Sequence, residues 1–174
     1  MSPFPELVAQ HFDFLATRYG FARVTVSPTE VRYESDLVFF DITTSPRDGC
    51  VDVTYGRFGR YKTSSPELAE SLSLGVFLGA IRTHLGHYQE ESVATLSSPG
   101  YAERTLADLA AGLAEFGRGL ITAEPVLYEK AGKLQFWHVG EWTQRWGTGI
   151  VMSADEIDRQ RRLVRDLASL ARGN

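Results

Sequence analysis

Residues 21–55 read FARVTVSPTEVRYESDLVFFDITTSPRDGCVDVTY, and the alternation within this stretch decides the fold class. Val24 and Val26, then Val31 and Tyr33, then Val38, Phe40 and Ile42, then Val51, Val53 and Tyr55 recur at every second residue. That period places successive side chains on opposite faces of a β-strand. Three groups of turn-forming residues separate the runs: Ser27-Pro28-Thr29-Glu30, Ser35-Asp36 and Ser45-Pro46-Arg47-Asp48-Gly49. A two-residue turn at Ser35-Asp36 sets Val31 opposite Phe40 and Tyr33 opposite Val38. Four-residue loops at Ser45–Asp48 and Ser27–Glu30 set Ile42 opposite Val51, Phe40 opposite Val53, and Val26 opposite Val31. All of these pairs share one face, and a slip of one residue scatters them. The expectation is an antiparallel four-stranded meander with one buried face.

Working outward, Phe4, Leu7, Val8, His11, Phe12, Leu15 and Tyr19 follow the spacing of one helical face, and Gly20 is placed to end that helix. After the meander, Pro66–Leu72 reads as a helical turn, and Leu74, Phe77, Leu78, Ile81 and Leu85 form a helical stripe. Ser98-Pro99 opens a longer helix with Leu106, Leu109, Ala110, Leu113 and Phe116 inward, ended by Gly117 and Gly119. Lys133–Val139 reads as a short strand. Ser153 with Glu156 is a capping box for a last helix running to about Arg172, with Ile157, Val164, Leu167 and Ala171 inward. The fold class expected is α+β: a four-stranded meander flanked by an N-terminal helix and two or three C-terminal helices. The 174 residues make one domain, 1–62 holding the helix and meander and 63–174 a mainly helical half.

Composition narrows the function classes. A 43% hydrophobic and 11% aromatic content supplies a core, and a net charge of −4 with mixed signs argues against a dedicated nucleic-acid binder. One cysteine, Cys50, allows no internal disulfide. Met-Ser-Pro-Phe-Pro-Glu lacks the features of a signal peptide, and the apolar stretch Leu74–Leu85 is too short and too polar to span a bilayer, so a cytoplasmic location is expected.

No catalytic or cofactor signature stands out, and no cofactor is expected. His84 and His87, with Glu90 and Glu91, have metal-like spacing, but Gly86 interrupts the helix between the histidines, and a solvated helix end is the simpler reading. His11 on an apolar helix face reads as a core histidine bonded to a carbonyl, and Cys50 as a small packed residue. Gly75-x-x-x-Gly79 suits close helix approach. The loop Gly56–Lys62 is basic, glycine-bearing and aromatic, able to cradle an anion, or simply a solvated turn. The arginines of the last helix alternate with carboxylates and read as a solvated face.

The outer face of the meander is more specific. In the proposed register Arg23 lies opposite Glu34, Thr25 opposite Arg32, Arg32 opposite Phe39, and Asp41 opposite Asp52. Directly opposed carboxylates repel, and an acidic pair beside an exposed aromatic suits a basic partner, a carboxylate dyad or a divalent cation. The plainer alternative is that the C-terminal aromatic segment covers this face, with Arg47 or Arg57 neutralising the aspartates. Trp137, Trp142 and Trp146 cluster with Arg145 in an irregular stretch that suits a contact surface or ordinary core.

Phe12-Asp-Phe-Leu15, Tyr19-Gly-Phe21, Val31-Arg-Tyr-Glu-Ser35, the strand Leu37–Ile42 and Val51-Asp-Val53 carry a resemblance. The first 60 or so residues resemble small bacterial proteins in which a helix ending in Tyr-Gly-Phe precedes such a sheet, with a weaker echo in Leu106–Leu120. These are similar in size and layout to bacterial immunity proteins, which neutralise toxins by binding them. The Trp-rich segment and the glycine-bearing middle helix depart from that pattern, and the resemblance brings no catalytic residue with it. It implies a non-enzymatic protein-binding module with a protein partner, in the immunity-like case a toxin. The partner face would comprise Arg32, Phe39, Asp41 and Asp52, with Trp142 and Trp146 at its rim. The competing expectation is a small-molecule- or metal-dependent enzyme using Asp41 and Asp52, or His84 and His87. Nucleic-acid binding through Arg57, Arg60, Lys62 and the last helix ranks third. A homo-oligomer is compatible with each.

Overall fold

The computed structural model describes residues 3–45, 47, 49–58, 72–86, 100–134 and 153–172. The first amphipathic run forms two helices, α1 (Phe4–Phe12) and α2 (Phe14–Tyr19), with Asp13 at the break. Gly20 ends α2 at φ 74°, the left-handed conformation that a glycine adopts without steric cost. Val8, Phe12 and Leu15 are buried, whereas Tyr19, expected to face inward, is 40% exposed and packs edge-on against Phe14.

The alternating stretch forms β1 (Ala22–Ser27), β2 (Glu30–Glu34), β3 (Val38–Thr44) and β4 (Val51–Arg57). A two-residue strand, β5 (Leu72–Ser73), pairs with the far side of β4, so the sheet runs β1-β2-β3-β4-β5, antiparallel throughout. Leu72, expected at the end of a helical turn, is therefore in a strand; residues 66–71 lie outside the described residues. Helix α3 (Leu74–His84) follows at once. Then come α4 (Tyr101–Phe116), the short α5 (Arg118–Ile121), α6 (125–134) and α7 (Ala154–Arg172). Lys133 and Leu134 belong to α6, which corrects the start of the expected strand; 135–139 lie outside the described residues.

The register differs from the expectation in an instructive way. Val31 pairs with Ile42 and Tyr33 with Phe40; Ile42 pairs with Val53 and Phe40 with Tyr55. Each hairpin is two positions longer than expected. At Ser35 the hydroxyl accepts the Leu37 and Val38 N–H groups (3.3 and 3.2 Å), which stabilises a wider turn than two residues. At the next hairpin the Ser45 N–H donates to the Cys50 carbonyl (2.9 Å), and Gly49 N–H donates back to Ser45 (2.8 Å). A slip of two preserves the face of every side chain, so Val31, Tyr33, Val38, Phe40, Ile42, Val53 and Tyr55 are all buried as expected.

Between β1 and β2 the slip is one. Ala22–Thr25 pair with Glu34–Val31, but Ser27 pairs with Glu30, leaving Val26 as a bulge. This inverts the strand: Val24 pairs with Arg32 on the outer face and Arg23 with Tyr33 on the inner face. Val24 and Val26 are 40% and 51% exposed, against the expectation that they face the core.

The helices bury the inner face. Helix α1 packs on β2 and α4, while α3 and α4 pack on β4 and on each other, with α7 against α3 and α4. The close approach of α3 and α4 comes from Gly112, where a Cβ would sit 2.5 Å from Leu78 Cδ1; among the described residues no atom lies within 4 Å of one built at Gly79. Arg82 donates to Asp108 beside this contact (2.6 Å). The capping box of α7 is formed as expected, Ser153 N–H donating to Glu156 Oε2 at 2.8 Å and Glu156 N–H to Ser153 Oγ at 3.3 Å. The Ser153 N–H and the Ser153 hydroxyl, which donates to the same Oε2 at 3.0 Å, hold the Glu156 carboxyl below its ordinary range. The carboxylate half of the cap is therefore complete above that range and is lost as pH falls through the lowered value.

One polar junction ties the helices to the sheet. Asp13, at the α1–α2 break, accepts the Tyr33 hydroxyl at 2.6 Å and Arg23 Nη1 at 3.2 Å. Burial of the Tyr33 side chain, reinforced by the bond to Asp13, raises the phenol pKa well above its ordinary value. Tyr33→Phe is expected to lower stability by about 1 kcal/mol, because Asp13 remains half-exposed and regains water. Urea denaturation of the variant measures this; a loss near zero would show that the junction is not stabilising.

Candidate binding face

The true register rearranges the outer face. Arg32 pairs with Asp41 across β2–β3, Asp41 with Thr54 across β3–β4, and Asp52 with Thr43. Asp41 therefore does not oppose Asp52, and the expected carboxylate dyad does not form. Glu34 takes the position expected for Arg32 opposite Phe39, and Arg23 leaves this face altogether.

Arg32 grips Asp41 with two parallel bonds, Nε to Oδ1 at 2.6 Å and Nη2 to Oδ2 at 2.8 Å, the planar fork that guanidinium and carboxylate favour. The bond to Asp41 raises the Arg32 pKa above its ordinary value. The guanidinium carbon also lies 5.2 Å from the centre of the Phe39 ring, within cation–π range. Neutralisation of Asp41 thus comes from Arg32, and not from Arg47 or Arg57. Asp52 is exposed at the other end of β4.

Phe39 is fixed from three sides. Its cross-strand partner is Gly56, and a Cβ there would lie 2.6 Å from the Phe39 ring, so the missing side chain is what lets the ring lie on the strand. Phe58 stands 5.2 Å away, centroid to centroid, and its N–H donates to the Leu37 carbonyl at 2.9 Å. Leu37 (57% exposed) and Phe58 (41%) extend the apolar surface at the β2–β3 hairpin. The sequence reading missed Gly56 and Phe58 as parts of this face, because only the longer β3–β4 hairpin brings Gly56 under Phe39. Arg57, expected in an anion loop, points the other way and lies 5.6 Å over the Tyr128 ring.

The other expected sites are less informative. His84 is exposed at the end of α3; His87, Glu90 and Glu91 lie outside the described residues, as do Arg60, Lys62, Trp137, Trp142 and Trp146. Among the described residues no group of three or more His, Cys, Asp or Glu could hold a metal ion. His11 is half-buried and its Nε2 has no hydrogen-bond partner, contrary to the carbonyl bond expected. Cys50 is exposed beside its hairpin instead of packed. No helix among the described residues is long and apolar enough to cross a membrane. Comparison with protein families, with curated proteins and with solved structures gives no match.

The face therefore offers an aromatic anchor at its hairpin end and, among the described residues, the carboxylates Glu30, Glu34, Asp41 and Asp52 along it against the cation Arg32. Arg32→Ala leaves the Asp41 side chain, only 15% exposed, without its cation. The expected loss is roughly 1–3 kcal/mol, of which Arg32→Ala/Asp41→Ala regains a part. A double-mutant cycle by chemical denaturation checks this, and strictly additive losses would show that the pair is uncoupled.

Proposed function

We propose that the chain is a non-enzymatic protein-binding module whose contact surface is the outer face of the sheet, and that its partner is a basic protein. The observation that carries this reading is Phe39, partly exposed and held by Gly56, Phe58 and Arg32 at the β2–β3 hairpin end of a face that carries, among the described residues, four carboxylates and one guanidinium. Binding energy at protein interfaces concentrates in a few aromatic and arginine anchors, and an anchor already immobilised loses little entropy on association. The surrounding negative charge steers a cationic partner and discriminates against acidic ones. The register favours this reading over the competing enzyme reading, because a dyad needs two carboxylates facing each other, and both oxygens of Asp41 are taken by Arg32 while Asp52 faces Thr43. The resemblance in size and layout to immunity proteins supports a toxin as the partner.

Asp41 is an unsuitable probe, since replacing it strands Arg32. Phe58→Ala/Asp52→Lys alters two exposed positions instead. Affinity capture from host lysate is expected to yield one stoichiometric basic partner with wild type and to lose it with the variant. The measured affinity should also fall with added salt. Equal capture by wild type and variant, or a partner with an acidic surface, would remove this face from consideration.

A further inference from the structure

The two edges of the sheet are built differently. β5 is two residues long, pairs with Thr54 and Tyr55 of β4 and runs straight into α3. β1 is six residues long, contains neither proline nor lysine, and is exposed over Ala22–Val26. Short strands, prolines, bulges and charged side chains are the usual means of keeping an edge from pairing, and β1 has the bulge at Val26 near its end and one inward-facing charge, Arg23, which Asp13 already pairs at 3.2 Å. Among the described residues no helix closes the inner side either. An open groove of about 530 Å³ separates α1 from β1, walled by Pro5, Ala9, Gln10 and Asp13 on the helix and by Arg23 and Thr25 on the strand.

We propose that β1 pairs antiparallel with β1 of a second copy of this chain, about a two-fold axis through Val24, joining the two sheets into one. A two-fold interface must be self-complementary, and this strand is. The register through Val24 sets Val24 against Val24 of the second copy and Ala22 against its Val26. These outer-face contacts are aliphatic, and they use the two valines that the bulge turns away from the core. On the inner face Arg23 meets Thr25 of the second copy, so no two like charges are directly opposed. The two Arg23 side chains become diagonal neighbours, and each already carries its own counter-charge in Asp13 at 3.2 Å. An extended peptide from another protein would find the same open ladder, but only a second copy supplies this aliphatic and charge pattern by construction. The inference is independent of the outer-face reading, since it uses the edge of the sheet.

Residue 24 on the axis gives a sharp test. Sedimentation of wild type over a concentration series is expected to show a monomer–dimer equilibrium. Val24→Lys and Val24→Glu, each placing like charges face to face, should be monomeric throughout, with unchanged circular dichroism because Val24 is already 40% exposed. An equimolar mixture of the two variants should dimerise again, by pairing lysine with glutamate. A wild type that stays monomeric, a dimer that survives either single substitution, or a mixture of monomeric variants that fails to associate would each overturn the proposal.

Discussion

Burial of one sheet face against helices imposes a parity rule on this protein. Every strand under the helices must keep the same alternate residues inward, and slips of two residues satisfy the rule while slips of one violate it. Strands β2, β3 and β4 obey it, and Tyr33, Phe40 and Tyr55, stacked side by side across them, form the aromatic floor on which the helices rest. Tyr55 meets Phe77 and Tyr128 edge-on, so the same floor organises α3 and α6. β1 is free of the rule, because α1 packs over β2 and leaves the edge strand outside the roof. The bulge at Val26 is tolerated there because no core position depends on that strand's phase.

Asp13 has a different kind of influence. It interrupts the first helix, receives the Tyr33 hydroxyl from the sheet, and holds Arg23 on the edge strand. One carboxylate thus connects three elements, and its partial exposure means that the connection orients the parts more than it stabilises them. The consequence reaches the edge: with Arg23 already paired, the inner side of β1 presents no uncompensated cation. The outer face is organised by an equivalent economy of charge. Arg32 neutralises Asp41 and covers one side of Phe39, so among the described residues the remaining carboxylates dominate the field while the hairpin end of the face stays apolar.

Much of this was legible along the chain, and the failures have definite causes. The Gly20 stop, the capping box at Ser153 and Glu156, and the inward faces of α3, α4 and α7 are local patterns whose physics is contained within a few residues. The inward residues of β2–β4 were legible for the same reason. Cross-strand partners were not, because hairpin length depends on how the Ser35 hydroxyl and the Ser45–Cys50 bond close the turns. A two-position error there left the core intact yet dissolved the Asp41–Asp52 pair and created the Arg32–Asp41 and Phe39–Gly56 pairs. Helix α6 went unread although Pro125 opens it and Leu127, Tyr128, Ala131 and Leu134 are buried at helical spacing.

By itself the sequence determined the α+β class, the order of the main elements and the parity of the central strands, since alternation and helical spacing act over short range. Tertiary structure decided who faces whom. Hairpin closure, the one-residue bulge and the reach of the helical roof depend on contacts between distant residues. They set which charges meet on the outer face and which edge of the sheet is left open.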